Sequence, residues 1–243
     1  MEKLAKQDGC EIAVCGEGGD DIFGGYGRNL RFYMNYNGQK PFFKFFLGSK
    51  YRYFTLEDRE KIIKDSYLVD DVELLNSAMN ENEIPEDVRN KMFYFIQKVH
   101  TLGLITRGAN TMRFNDLELG FPYTNMKLVN FVNSLPFDFK VHWKSDKHFE
   151  KAKKMTYKEI SESMDVPKFI LKKIAEKYLP HKVIYRKKYG FPVPFEKWFK
   201  DLKSWSFDND VFKSNDISSF NGWKKFMLIN LDAFIKEFKQ YIK

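Results

Sequence analysis

The sequence predicts an α/β fold that is predominantly helical, on three observations. A short apolar run, Ile12-Ala13-Val14-Cys15, reads as a buried strand. A loop rich in glycine and acid follows at once: Gly16-Glu17-Gly18-Gly19-Asp20-Asp21-Ile22-Phe23-Gly24-Gly25-Tyr26. The rest of the chain divides into about eight segments with helical spacing and no second clear strand. One strand cannot make a sheet, so its partners are expected from outside this chain.

Taken in order, residues 2–8 read as a helix end closed by Gly9. After the strand, Ile22 and Phe23 begin a helix whose first turn carries Asp20 and Asp21, where acids suit the positive helix end. Short helices are expected at 42–47, 57–63 and 70–79. Pro85 suits a first helical position and opens a longer helix with the stripe Val88, Met92, Phe95, Ile96, Val99 and Leu102. Asn125 to Leu135 reads as a helix with Leu128, Phe131 and Val132 inward. Residues 138–166 are Lys-rich with a weaker pattern. Pro167 is expected to open a helix with Phe169, Ile170, Ile174 and Tyr178 on one side, and Pro192 and Pro194 to bracket a turn before a helix at 195–205. Residues 206–220 read as a loop. A C-terminal amphipathic helix, about 221–242, carries Trp223, Phe226, Met227, Leu231, Phe234, Ile235, Phe238 and Ile242.

The 243 residues can bury a sizeable core, and 43% hydrophobic with 30% charged residues is ordinary for a globular protein. A net charge of +8 allows affinity for anions, including nucleotides. The plainer reading is a Lys-rich solvated surface, and no nucleic-acid recognition signature is present, so nucleic acid is not expected as a partner. Cys10 and Cys15 have no zinc-site spacing, and buried, reduced thiols are expected. The charged N-terminus has no apolar signal region and no stretch is long enough to span a membrane, so the cytoplasm is the expected compartment.

The loop can do chemistry. Mg²⁺ takes hard oxygen ligands, usually one or two carboxylates plus substrate phosphates, and Asp20 and Asp21 can supply the carboxylates. Gly16, Gly18 and Gly19 let backbone N–H groups approach phosphate oxygens. Glu17 lies in the turn, where it could serve as a general base. The alternative is a glycine turn with an Asp helix cap. The dinucleotide G-x-G-x-x-G pattern fails because Asp21 takes its last position, and no Gly-Lys-Ser/Thr follows as in Walker A. A second cluster, Tyr185-Arg186-Lys187-Lys188-Tyr189-Gly190-Phe191-Pro192-Val193-Pro194, could neutralise phosphates or form a solvated basic turn. Lys168 is a further candidate cation.

Residues 16–26 resemble the G-[ED]-G-x-D-E-[LIV]-F-G-G-Y signature of the asparagine synthetase family. Three more segments follow in that family's order. Leu117-Glu118-Leu119-Gly120-Phe121-Pro122-Tyr123 is similar to its L-E-x-R-x-P-F block. Lys168-Phe169-Ile170-Leu171-Lys172 resembles its K-x-x-L-R helix. Residues 179–191, Leu179 to Phe191, resemble its L-P-x-x-[IV]-x-x-R-x-K-x-G-F block, continued by Pro194 and Trp198. The resemblance covers roughly 10–200. It implies the C-terminal portion of an adenine-nucleotide alpha-hydrolase-like (PP-loop) synthetase domain. Residues 1–205 are then a partial domain, and 206–243 a loop plus a C-terminal helix packing on it.

Members of that family use ATP and Mg²⁺ to adenylate a carboxylate substrate, releasing pyrophosphate, before an amine attacks. Carried over, Asp20 is a Mg²⁺ ligand and Asp21 a supporting acid near pyrophosphate. Glu17 lies near the attacking amine. Lys168 neutralises the departing pyrophosphate, with Lys147 as a rival for that role, and Arg186 and Lys188 line or support the same pocket. The resemblance further implies a missing N-terminal half as partner, since the family's Ser-Gly-Gly-x-Asp-Ser ATP loop and glutaminase are absent from this sequence. The chain departs from the family at Gly108-Ala109-Asn110-Thr111-Met112, where the family has D-R-x-S-M, and at Gly120 and Asn125. The expected function is therefore part of an AMP-forming amide ligase that is inactive alone. The rival is a degenerate, non-catalytic binding or scaffold partner.

Overall fold

The computed structural model describes residues 2–26, 33–34, 36–39, 42–47, 52–79, 84–160, 162–188 and 193–241. In chain order, α1 (Glu2–Gln7), β1 (Ile12–Val14) and α2 (Gly19–Phe23) precede α3 (Phe42–Phe46), α4 (Leu56–Ile62) and α5 (Asp71–Ala78). Then come α6 (Val88–Ile96), α7 (Leu102–Arg113), β2 (Glu118–Gly120), α8 (Met126–Ser134), α9 (Phe137–Lys140) and β3 (Val141–Trp143). They are followed by α10 (Asp146–Ala152), α11 (Tyr157–Ile160), β4 (Asp165–Pro167), α12 (Phe169–Ala175), α13 (His181–Ile184), α14 (Phe195–Trp198) and α15 (Gly222–Phe238). The mixture is α/β and mostly helical, as predicted.

Two compact units divide these elements: residues 1–42 with 76–187, and residues 43–75 with 188–243. In the first unit, β1 pairs in parallel with β2, Ala13 opposite Leu119. The strand's partner thus comes from within the chain, contrary to expectation. Three residues of β2 are too short to announce themselves by alternation. The outer face of β1 is also not buried. Ile12 and Val14 are 61% and 74% exposed, while Ala13 between them is half-buried. Side chains alternate across a strand, and here the two large ones lie on the uncovered face. Cys10 is exposed and Cys15 half-buried, so the expected burial of both thiols fails for the same reason.

The Lys-rich stretch 138–166 holds a two-stranded antiparallel sheet, β3 with β4, in which His142 lies opposite Val166. Pro167 ends β4 instead of opening the next helix, which starts at Phe169; Ile174 and Tyr178 are exposed. Val141, Phe93, Phe137, Ala152 and Ile160 form the core over this sheet.

Helix α6 is capped by the Asp87 side chain, which accepts from Arg89 N, and buries Met92, Phe95 and Ile96 as expected. It runs through a π-helical turn, Gln97–Thr101, into α7. A π turn inserts an extra residue and rotates everything beyond it by about 100°. Leu102, just beyond the turn, is exposed, as is Val99 within it, although the uninterrupted stripe would have buried both. In α8, capped by Asn125, Val132 is buried but Phe131 faces solvent.

The second unit is built on Ile62, Phe212, Ile217, Phe220, Leu228 and Ile235. Its long helix, α15, buries only part of the expected stripe: Ile235 is buried and Phe226 and Met227 are half-buried, while Trp223, Leu231, Phe234 and Phe238 are exposed and Ile242 lies outside the described residues. The inward face carries Lys225, Leu228, Asp232 and Ile235, because residues 199–209 supply polar partners there. Lys225 Nζ donates to Phe199 O at 3.1 Å. Asp232 accepts from Trp205 Nε1 at 3.0 Å and Asn209 Nδ2 at 2.8 Å. Helix α14 is a single turn and does not reach residue 205.

Candidate functional site

The acidic glycine loop leaves β1 and turns into α2. Gly18, at φ 90°, is the N-cap of this helix, and Gly24, at φ 77°, closes it. Both values lie in the left-handed region that side chains with a Cβ avoid. A Cβ on Gly19 would press on the Tyr123 ring at 3.3 Å, whereas Gly16 has open space around it. Tyr123 also meets Phe23 edge to face, with centroids 6.1 Å apart. The segment 117–123 therefore packs directly on the loop it follows in the family order. Ile22 and Phe23 anchor α2 in a cluster with Val132, Leu128, Ile170 and Leu171.

The two aspartates are successive residues of α2, so they leave it about 100° apart. Asp20 points to the partly open side, where Lys168 Nζ lies 2.8 Å from its Oδ1. Lys168 sits at the corner between β4 and α12 with φ 56°, and its backbone N–H donates to Phe23 O at 3.1 Å. A left-handed conformation at a residue with a Cβ costs roughly 1–2 kcal/mol. Here it holds the ammonium over the loop, while Lys147, exposed on α10, makes no ion pair with Asp20.

Asp21 points inward and is 1% exposed. Its Oδ1 accepts from Thr101 Oγ1 at 2.6 Å and lies 3.3 Å from His100 Nδ1, while its Oδ2 has no hydrogen-bond partner among the described residues. His100 packs edge to face on Tyr26, centroids 5.5 Å apart. Both supporting residues come from the π-helical turn. Sequence reasoning missed them, because a regular helix through Gln97–Thr101 would not present them together; an isolated His-Thr pair within an apolar stripe was the available signal.

Glu17 is half-buried at the start of the loop and makes no hydrogen bond or ion pair among the described residues. Arg186 is exposed after α13, and Lys188 is exposed at the start of the second unit. Asp20, Asp21 and Lys168 are thus brought together around α2. Among the described residues, no group of three or more acids, histidines or cysteines could hold a metal by itself. The donor set, one part-exposed carboxylate on Asp20 whose Oδ1 is buried against a lysine, fits an ion arriving with a polyphosphate that completes its shell. It does not fit a resident ion. Among the described residues no helix is long and apolar enough to cross a membrane.

An Asparagine synthase family model matches residues 1–225. Asparagine synthetase (glutamine-hydrolyzing) 1 of Bacillus subtilis strain 168 is 24% identical over 231 residues, covering 80% of this chain and 32% of the relative. A Methanocaldococcus jannaschii protein that bears the provisional name asparagine synthetase (glutamine-hydrolyzing) 1 is 22% identical over 197 residues, covering 76% of this chain and 28% of the relative. The chain therefore spans about a third or less of these relatives. No solved structure matches it. With the family model covering most of the chain, and the motifs in 16–26, 117–123 and 168–172 packed around one short helix, the chain belongs to the asparagine synthase family.

Proposed function

We propose that this chain supplies the pyrophosphate and acceptor side of an ATP-dependent, AMP-forming amide ligase. The single observation that carries this reading is the 2.8 Å ion pair between Asp20 and Lys168, which joins two family motifs far apart in the sequence. A carboxylate and an ammonium held at one partly open place suit Mg²⁺-pyrophosphate, one for the metal and one for the phosphate oxygens. When bound, Mg²⁺-ATP would supply the adenylyl group that activates a substrate carboxylate. Asp20 would hold the ion. Lys168 would neutralise charge on the departing pyrophosphate, with Arg186 supporting it. Asp21, buried on Thr101, would fix the direction of α2. Glu17 would take or orient the proton of the attacking amine.

The adenine side is proposed to come from a second source, in the same protein or in another chain. The exposed Ile12 and Val14 face of β1 supports this, since a strand with bare large apolar side chains suits further sheet and helix packing. The acceptor is proposed to be a small carboxylate, and the compartment the cytoplasm.

Titration with Mg²⁺-pyrophosphate tests the reading. Saturable binding, weakened at least about tenfold in Asp20→Asn and in Lys168→Met, is expected. Equal affinity in folded variants would overturn the site. ATP–pyrophosphate exchange by these 243 residues alone would overturn the need for a second source. Binding without activity even when the adenine side is supplied would favour a non-catalytic partner role. Gly108 lends that role some support: a Cβ there would meet Leu119 Cδ2 at 3.2 Å, so this place in the family's charged segment is used for packing.

A further inference from the structure

A cleft of about 260 Å³ in the first unit, lined by Asn90, Phe93, Tyr94, Asn130, Asn133 and Lys140, contains none of the residues assigned above. Its volume equals roughly nine waters, enough for a small organic molecule. Lys140, the last residue of α9, is 1% exposed although lysine is among the residues least often buried. Its Nζ makes one hydrogen bond, to Asn90 Oδ1 at 3.1 Å, and lies 5.0 Å from the centroid of the Phe93 ring. An ammonium has three donors, so two remain. No carboxylate forms an ion pair with it among the described residues. Asp87 is the acid whose field reaches it, and that carboxylate is held by Arg89 at 2.7 Å.

The other polar groups around this lysine are uncharged carboxamides. Asn90 has its Nδ2 left over once its oxygen accepts from Lys140. Asn130 stands exposed at the cleft and makes no side-chain hydrogen bond among the described residues. Asn133 is locked to Gln97 by two reciprocal 2.9 Å bonds and shapes the wall. Phe93 and Tyr94 supply apolar surface.

We propose that this cleft is an anion site for a small carboxylate, with Lys140 as its cation and the Asn90 and Asn130 carboxamides as flanking donors. One buried positive charge matches a monoanion, and two adjacent oxygens can bridge an ammonium and a carboxamide. A phosphate dianion would bring a second negative charge toward Asp87, whose own cation, Arg89, is already paired with it. Phe93, which lines the cleft, also closes on Gly24: a Cβ there would stand 2.9 Å from its ring. A ligand in the cleft therefore presses on a side chain that packs against the end of α2.

Titration of the chain with ¹³C-carboxylate acetate, followed by NMR, tests this, with inorganic phosphate as competitor. Saturable binding to one site is expected. Lys140→Met, close in volume, should weaken it at least about tenfold, and Asn130→Leu about threefold. A folded Lys140→Met protein that binds acetate as the wild type does would overturn the proposal. So would phosphate binding more tightly than acetate, or a wild-type titration that does not saturate. If Lys140→Met fails to fold, the exposed Asn130→Leu variant decides: unchanged affinity sinks the proposal and weakened affinity upholds it.

Discussion

Lys168 Nζ lies 2.8 Å from Asp20 Oδ1, with the two side chains 30% and 26% exposed. This places the pair between the surface regime, where ion pairs contribute almost nothing, and the buried regime, where breaking one strands a charge. A double-mutant cycle with Asp20→Asn and Lys168→Met should give a coupling of about 1 kcal/mol from urea midpoints, decreasing with added salt. Additive effects would show that the two side chains do not sense each other in solution.

Helix α2 owes its closure to Gly24, where two constraints coincide. The φ of 77° disfavours any Cβ, and that Cβ would come within 2.5 Å of Val141 Cγ2 and 2.9 Å of Phe93 Cζ. Gly24→Ala should cost about 2–4 kcal/mol, the sum of left-handed strain and overpacking. Chemical denaturation measures it. A loss under about 1 kcal/mol would mean that the α2 corner adapts freely.

Much of the site's composition was legible in the sequence, and little of its support was. The run 16–26 announced a loop because glycine and acid clusters have few other uses after an apolar strand. Gly18 and Gly24 do take the left-handed values such a loop needs. Lys168 could be named from its motif, but its meeting with Asp20 depends on β4, a three-residue strand hidden in a Lys-rich stretch. The pairing of β1 with β2 was invisible for the same reason: three residues carry no period. His100 and Thr101 were lost because periodicity presumes 3.6 residues per turn, and the π turn breaks that rule where both residues reach Asp21. In α15, apolar spacing caught Ile235 but missed the rest of the buried face, because Asp232 and Lys225 are buried by hydrogen bonds and not by hydrophobicity.

Thr101 is the close support of a carboxylate that is 1% exposed. Thr101→Val keeps the shape and removes the donor at 2.6 Å, leaving both Asp21 oxygens poorly satisfied. The expected cost is about 1–3 kcal/mol, as for a buried acceptor losing its partner, and Thr101→Ser should restore most of it. Equal stability of the valine and serine variants would show that His100 alone satisfies Asp21.

Asp165, in β4, gives the chain a stability that depends on pH. It is 1% exposed, and burial pushes its carboxyl up from 3.8 to about 6; Glu162 adds to the rise, while the backbone N–H of Glu162 and the ammonium groups of Lys144 and Lys172 oppose it. One oxygen accepts from Glu162 N at 2.7 Å and the other has no hydrogen-bond partner among the described residues. The unfolded chain releases this proton near 3.8 and the folded chain holds it to about 6. Between those values the folded state binds more protons, so stability falls as pH rises through this window and stays lower above it. A shift of this size corresponds to about 3 kcal/mol at most. Asp165→Asn keeps the acceptor for Glu162 N and cannot ionise. It should therefore be more stable than the wild type at pH 7, by about 1–2 kcal/mol after its own unpaired amide is counted, with no advantage near pH 4. Urea midpoints across that range measure the difference, and parallel pH profiles for the two proteins would mean that Asp165 titrates as an ordinary exposed aspartate.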